Sequence, residues 1–335
     1  MPHPRSATSR TVNNIRALAV IACLWLLATG CANSGSTATG ADNFPEHGIN
    51  VIVPFSAGGG TDMSMRALAE AAREPCGTSI TITNVEGGAG AVGMQQVGSA
   101  GADGYTVGVA TSSTYLAPNL GTSQLDPAQF RGVMQFDNDP PVISVPANSD
   151  IKTFDDLKKH AASGLNISTS GAGSITQLAF LGMAERAGVA APTNVPLGGG
   201  SQAILAALGG QVDGVSATAG ESYAQIKSGR LRAIAVMGDK RLEQLPDTPT
   251  LKELKVDWSI PVWRGLVVPA GVSDQVVEKL NSCFKKAFDA ESFQSFMAGQ
   301  SFTPTYKDHD DFTKFLQSQF VEYGHLVDQF GMTEK

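Results

Sequence analysis

Short apolar runs alternate along most of the chain with stretches whose apolar residues recur at helical spacing, and turns rich in Gly and Ser separate them. Ile49 to Phe55 reads as a strand and Thr61 to Ala72 as the helix that follows it. Ile80 to Val85 is a second strand, leading to a helix through Gln96, and Tyr105 to Ala110 is a third. A second series opens at Val142 to Val145. Its helices cover 154–162, 175–186, 202–208 and 221–228, and its strands 166–169, 194–196, 212–216 and 231–236. Alternation of this kind predicts an α/β protein built on parallel sheets. Past Pro246 and Pro249, Val262 to Val268 reads as a strand carrying the chain back to the first unit. Helices over Ser273 to Ala287 and Asp308 to Gln329 then cover that unit. The expected division is residues 45–140 plus 263–335 in domain 1 and 141–262 in domain 2. Two crossings near 140 and 262 make a hinge, and the space between the domains is the expected ligand cleft.

The first thirty residues stand outside this pattern. Arg5, Arg10 and Arg16 precede an apolar run from Ala17 to Ala28, the length of a signal peptide rather than of a spanning helix. The run closes on Ala28-Thr29-Gly30-Cys31, which resembles a lipoprotein cleavage site, with Ala28 where such sites carry Leu. Residues 1–30 are therefore expected to be a lipoprotein signal peptide, with Cys31 as the lipid anchor. Residues 31–44, mostly Ala, Ser, Thr, Gly and Asn, are expected to be a flexible tether. The location that follows is extracytoplasmic, on the outer side of the cell membrane.

Charge and cysteine content narrow the picture further. The whole chain carries a net charge of −7, and loss of the Arg-bearing leader would make the rest more acidic still. Nucleic-acid binding through a basic patch is thereby disfavoured. Of four cysteines, Cys76 and Cys283 remain once Cys23 and Cys31 are set aside. In an oxidising compartment they are either bonded or two buried thiols; a bond would place both ends of the chain in one domain. His47, His160, His309 and His325 lack metal-ligand spacing, and neither metal nor cofactor is expected.

Three strand-to-helix turns combine Gly with hydroxyl residues at a helix start. The first is Phe55-Ser56-Ala57-Gly58-Gly59-Gly60-Thr61-Asp62, the second Ser170-Gly171-Ala172-Gly173-Ser174, and the third Gly198-Gly199-Gly200-Ser201. Gly admits a ligand close to the backbone, and the N–H groups of a helix start carry a partial positive charge that suits an anion. None of these turns contains Arg, so a carboxylate would be held by backbone dipoles. Ser112 and Ser113 at the end of the third strand join the ligand-binding set, as does Gln177 just after the second turn. Replacing Gly59 by Val is expected to abolish binding without unfolding the chain. Glu221, near the expected cleft mouth, reads first as a solvated helix-start acid and second as a hydrogen-bond partner of the ligand or a complement to the helix dipole. Arg264 reads as a ligand contact or an interdomain ion pair, and Trp263 as a packing residue.

The stretch Ile52-Val53-Pro54-Phe55-Ser56-Ala57-Gly58-Gly59-Gly60-Thr61-Asp62 resembles the opening signature of the tripartite tricarboxylate transporter receptors, the TctC or Bug proteins. Asn84-Val85-Glu86-Gly87-Gly88-Ala89-Gly90, Asp103-Gly104-Tyr105-Thr106 and Ser170-Gly171-Ala172-Gly173-Ser174 are similar to later motifs, in family order. So are Gly209-Gly210-Gln211-Val212-Asp213, Gly229-Arg230-Leu231-Arg232-Ala233, Pro246-Asp247-Thr248-Pro249 and Trp263-Arg264-Gly265-Leu266. The resemblance implies a two-domain, Venus-flytrap solute-binding fold that holds a carboxylate on the first loop, often through waters, and on the Ser-Gly loop opposite; helix starts facing the cleft from both sides suit a di- or tricarboxylate. It implies membrane permease subunits as partners, and the receptor itself is expected to be a monomer. Gln177 and Leu197-Gly198 stand where the family often has His and Tyr-Lys, so the particular carboxylate does not carry over.

Two other functions share some of these features. Gly88-Ala89-Gly90-Ala91-Val92-Gly93 fits the dinucleotide fingerprint G-x-G-x-x-G, but Ser112-Ser113 occupy the region where a ribose-binding acid belongs. A nucleophile elbow is missing its last Gly at Gly220-Glu221-Ser222-Tyr223-Ala224. A dinucleotide-dependent enzyme is thus disfavoured. The same fold could instead sense a carboxylate and signal to a membrane kinase.

Overall fold

In the computed structural model, which describes residues 43–332, the strands collect into two mixed sheets. The signal peptide, Cys31 and nearly all of the tether lie outside the described residues. One sheet contains β1 (Ile49–Val53), β2 (Ile80–Asn84), β3 (Thr106–Thr111), β4 (Phe130–Asp139), β10 (Val262–Pro269) and β11 (Pro304–Lys307), in the order β11-β4-β10-β3-β1-β2. The other contains β5 (Pro141–Pro146), β6 (Asn166–Thr169), β7 (Thr193–Pro196), β8 (Gly214–Thr218) and β9 (Leu231–Val236), in the order β7-β6-β8-β5-β9. Each sheet, with its covering helices, is one lobe.

The sequence pattern predicts parallel sheets, and the structure departs from that in each lobe. β1 pairs in parallel with β2 and β3, but β10 lies antiparallel between β3 and β4. β6 pairs in parallel with β7 and β8, but β5 lies antiparallel to β8 and β9. The exceptions are β10 and β5, which carry the chain between lobes, and β11, which lies antiparallel to β4 at the sheet edge. A strand that returns through a helix on the same sheet must run parallel to its predecessor, whereas one arriving from another sheet is free of that rule. β4 passes directly into β5 through Pro140, and the chain returns at β10.

Helices α1 (Gly60–Cys76), α2 (Ala91–Gly98), α3 (Ser112–Leu116), α8 (Asp274–Asp289), α9 (Glu291–Gly299) and α10 (His309–Phe330) belong to the first lobe. α4 (Phe154–Ala161), α5 (Ile175–Arg186), α6 (Gly200–Leu208) and α7 (Ala219–Lys227) belong to the second. Cys76 at the end of α1 is bonded to Cys283 in α8, across 207 residues of sequence, with Cα atoms 4.9 Å apart.

Trp263 anchors the return strand. It is fully buried, its Nε1 donates to Tyr323 Oη at 2.9 Å, and Tyr115, Phe312 and Phe315 meet its ring edge-on. It packs, as its place in an apolar strand suggested. Its backbone N–H donates to Ser112 Oγ at 2.9 Å, which ties the end of β3 to the start of β10 beside the crossing. Four elements have no counterpart in the sequence pattern as read: β4, α3, α9 and β11.

Candidate functional site

The first loop owes its shape to Asp62. Gly58 takes a left-handed φ of 77°, and its N–H donates to Asp62 Oδ2 at 2.8 Å. Arg66 Nε donates to the same oxygen at 2.9 Å, and Asn84 Nδ2 to Oδ1 at 2.9 Å. Asn84 Nδ2 also reaches Phe55 O, so both ends of the loop hang on one buried carboxylate. Burial works to raise the Asp62 pKa, but the hydrogen bonds from Arg66, Gly58 and Asn84 outweigh it and hold the group below the usual carboxylate value.

The other two loops repeat the device with glutamine. Gly173 N–H donates to Gln177 Oε1 at 2.8 Å, and Gly198 N–H donates to Gln202 Oε1 at 3.0 Å. In all three the residue before the helix cap is held by a side chain at the third helical position, a variant of the capping box. The N–H groups of Gly58, Gly173 and Gly198 are therefore bonded within their own loops. Those left facing outward belong to the helix starts themselves, Gly60 on α1 and Gly200 on α6, both capped by glycine without a side-chain bond.

These helix starts meet across a cavity of about 40 Å³ between the lobes. Phe55, Ser56, Gly59, Gly60 and Thr61 line it from the first lobe with Thr111, Ser113, Val262 and Arg264. Gly199, Gly200, Thr218 and Glu221 line it from the second. Sites for small organic ligands generally enclose upward of ~300 Å³, so admission of a ligand requires the lobes to part. Several bonds join them, including Gly220 N–H to Asp139 Oδ2 at 3.1 Å and Gln244 Nε2 to Ala298 O at 3.0 Å, and three involve the loops. Gly60 N–H donates to Glu221 Oε1 at 3.1 Å, Ser201 Oγ to Gly58 O at 3.0 Å, and Ile175 N–H to Ser113 Oγ at 3.2 Å. Closure also demands missing side chains: a Cβ on Gly60 would stand 2.7 Å from Glu221 Cγ, and one on Gly199 2.8 Å from Ser56 Oγ. Gly59 is different, since a Cβ there would meet only Ser56 O, at 3.4 Å. The glycine that closure requires on the first loop is Gly60.

The remaining residues of the expected set take other places. Ala57 and Gly58 form the exposed tip of the first turn. Ser112 lies beneath Trp263. The second loop sits beyond the cavity lining, near α3, where a Cβ on Gly173 would come within 2.6 Å of Leu120 Cδ1. Its hydroxyls satisfy one another: Thr176 Oγ1 is 2.9 Å from Ser170 Oγ and 3.0 Å from Ser174 Oγ. Gly171, Ala172, Gln177 and Gly198 likewise stand outside the lining. The fingerprint glycines serve packing. A Cβ on Gly90 would stand 3.2 Å from Phe55 Cζ and 2.6 Å from Thr114 Cγ2, and one on Gly93 2.9 Å from Pro54 Cα. They let α2 press against the back of the first loop.

Thr111, Thr218 and Val262, absent from the expected set, complete the lining together with Glu221 and Arg264, for which the sequence offers a ligand contact as one of two roles. Thr218 and Glu221 form a capping box on α7: Glu221 Oε2 accepts from Thr218 N–H and Oγ1, each at 3.1 Å. The spacing Thr218-Ala219-Gly220-Glu221 is the sequence signature of that motif and was there to be seen. Arg264 is 1% exposed. Its Nε donates to Thr61 Oγ1 at 3.1 Å, its Nη1 pairs with Asp137, and Asp139 lies 3.8 Å away. Phe302 stacks beneath the guanidinium at 5.7 Å. Burial raises the pKa of Asp137 against the pull of Arg264. Burial and the neighbouring charge of Asp137 together push Asp139 well above the usual carboxylate range. Among the described residues, no group of three or more His, Cys, Asp or Glu is placed to hold a metal.

The family model described as "Tripartite tricarboxylate transporter family receptor" (TctC) matches residues 64–332. The chain belongs to that family. Its relatives include the protein BugT of Bordetella pertussis, 28% identical over 336 residues, which cover 96% of this chain and 99% of BugT. Among solved structures, the periplasmic binding protein BugD superposes with a TM-score of 0.82 at 26% identity, covering 87% of this chain and all of BugD. An R. palustris protein solved with adipate gives 0.82 at 25% identity, covering 86% and 99%. The family and the fold are those of periplasmic solute-binding proteins with two domains, rather than of enzymes.

Proposed function

We propose that this protein is an extracytoplasmic receptor that captures a small organic carboxylate between its lobes and delivers it to the permease subunits of a tripartite tricarboxylate-type transporter. The observation that carries the reading is the convergence of two uncapped helix starts, at Gly60 and Gly200, on one interlobe cavity with the hydroxyls of Ser56, Thr111, Ser113 and Thr218. Bonds from N–H groups to a carboxylate are worth about 1.5–3 kcal/mol each, so a few of them give micromolar capture. The adipate bound in a relative of the same fold supports a carboxylate as the ligand.

In this reading residues 45–140 plus 263–335 form one moving body and 141–262 the other, hinged at Pro140 and at the return into β10. The open form binds the ligand on the first loop, and closure brings Gly199 and Gly200 onto it. Ser170 to Ser174 and Gln177 act indirectly, by seating α5 against Ser113. Closure is the state that a permease reads. The receptor works as a monomer, held to the membrane through acylated Cys31 after removal of residues 1–30.

A thermal-shift screen of the purified protein against mono-, di- and tricarboxylates tests this, with sugars and NAD as controls. Ligand at 100 times its dissociation constant adds about 2.7 kcal/mol, which raises Tm by several degrees. Stabilisation by carboxylates alone is the expected result. Stabilisation by a sugar or NAD and by no carboxylate refutes the reading.

A further inference from the structure

Opposed helix starts alone would suit a dianion, but the cavity is not lined by helix starts alone. Glu221 places a carboxylate inside it, against the N–H of Gly60 on the facing lobe. The capping box fixes that carboxylate: Oε2 is held by two bonds to Thr218, so it travels with the second lobe. It is also wedged, because a Cβ on Gly200 would come within 2.4 Å of both its oxygens. The cavity's cation, Arg264, attracts it but divides that attraction between Glu221 and Asp137. Its direct partner is Asp137, buried beside it inside the first lobe.

A ligand seated between the lobes therefore occupies the gap between an N–H donor, Gly60, and a fixed acceptor, Glu221. A plain dicarboxylate satisfies the first and sets like charges together at the second. A ligand that also carries a nitrogen donor satisfies both, through its carboxylate on Gly60 and its nitrogen on Glu221. We propose that Glu221 is the specificity-determining residue of the cleft, selecting carboxylates that bear an ammonium or amide nitrogen and rejecting plain dicarboxylates of the same length. This rests on the receptor reading above.

The test is calorimetry with length-matched sets: succinate against aspartate and asparagine, and glutarate against glutamate and glutamine. The native protein is expected to bind a nitrogen-bearing member at least tenfold more tightly than its plain partner. Glu221→Gln keeps the capping bonds, since glutamine serves in a capping box, and its melting temperature checks that the fold is kept. In this variant the preference is expected to fall below threefold. Plain dicarboxylates that bind the native protein as tightly as their nitrogen-bearing partners overturn the proposal and leave the receptor reading standing. So does a preference that Glu221→Gln leaves unchanged. Failure of every carboxylate, with or without nitrogen, overturns the receptor reading and this proposal together.

Discussion

Gly60→Ala should uncouple binding from folding. Gly60 is the first residue of α1 and has ordinary helical geometry, so alanine is tolerated, and is favoured by up to ~1 kcal/mol, wherever the lobes stand apart. In the closed form the new Cβ would lie 2.7 Å from Glu221 Cγ and 3.0 Å from Arg264 Nη2. Neither neighbour yields easily, because Glu221 is held by its capping box and Arg264 by Asp137 and Thr61. Carbon contacts are comfortable from about 3.5 Å, so the lobes must stop some ~0.8 Å short of closure. The bond from Gly60 to Glu221, now 3.1 Å, then lengthens beyond hydrogen-bonding range. A ligand on that N–H lies in the same gap, so the new Cβ crowds the ligand where it would otherwise crowd Glu221. Loss of one charge-assisted bond costs about 1.5–3 kcal/mol, roughly 10- to 150-fold in Kd. Calorimetric titration with whichever carboxylate the thermal screen finds measures this, and an unliganded melt checks the fold. Gly59→Ala is the control, since its Cβ meets only Ser56 O at 3.4 Å, and it should bind within threefold of native. Native-like affinity in Gly60→Ala would refute the closure argument.

Two further outcomes follow from the loop and the disulfide. Asp62 has its pKa lowered on folding, so the unfolded chain takes up its proton at a higher pH than the folded one. The stability it contributes is full above the unfolded value near ~4 and is lost as pH falls through the folded value. Asp137 and Asp139, shifted upward, slope the other way. The native profile minus that of Asp62→Asn is therefore the quantity to measure, and it should rise from pH 3 to pH 5. Breaking the Cys76–Cys283 bond by Cys283→Ser should cost about 2–5 kcal/mol in denaturant unfolding, since it closes a loop of 207 residues. Ligand affinity should hold within twofold, because Cys76 ends the 17-residue α1, about 25 Å from the cleft at 1.5 Å per residue.

Much of the fold was legible because most elements are punctuated. β6, α5 and β9 fall where the pattern puts them to the residue, each bounded by Gly, Ser or Pro. The loops were legible as loops, and their Gly-Gly pairs pointed to helix starts. Which N–H groups stay open was not, because that depends on a side chain three or four positions into the helix. Asp62, Gln177 and Gln202 each remove one donor from the site, and only a fixed loop shows it. Gly59 and Gly60 look alike in sequence. They differ in what stands across the cleft, some 160 residues away on α7, and no local pattern carries that.

β4 is the instructive omission. Its ten residues, Phe130 to Asp139, include Gln135, Asp137 and Asp139 at fully buried positions, so the run reads as polar chain rather than as an interior strand. Buried acids are tolerated only beside a compensating charge, and that charge is Arg264 on the adjacent strand, β10. Each residue looks misplaced when its strand is read alone; together the acids of β4 hold Arg264 in the lining of the cleft. The register pairs Arg264 with Asp137 in the sheet and with Thr111 on β3, so one arginine ties three strands where the lobes meet. An ion pair buried this deeply adds little net stability over well-packed apolar residues. What it gives is a cation whose direct partner lies within its own lobe. Glu221, which Arg264 also attracts across the cleft, is the acceptor the second lobe presents to a ligand, so the choice of ligand turns on a residue whose local role is to cap a helix.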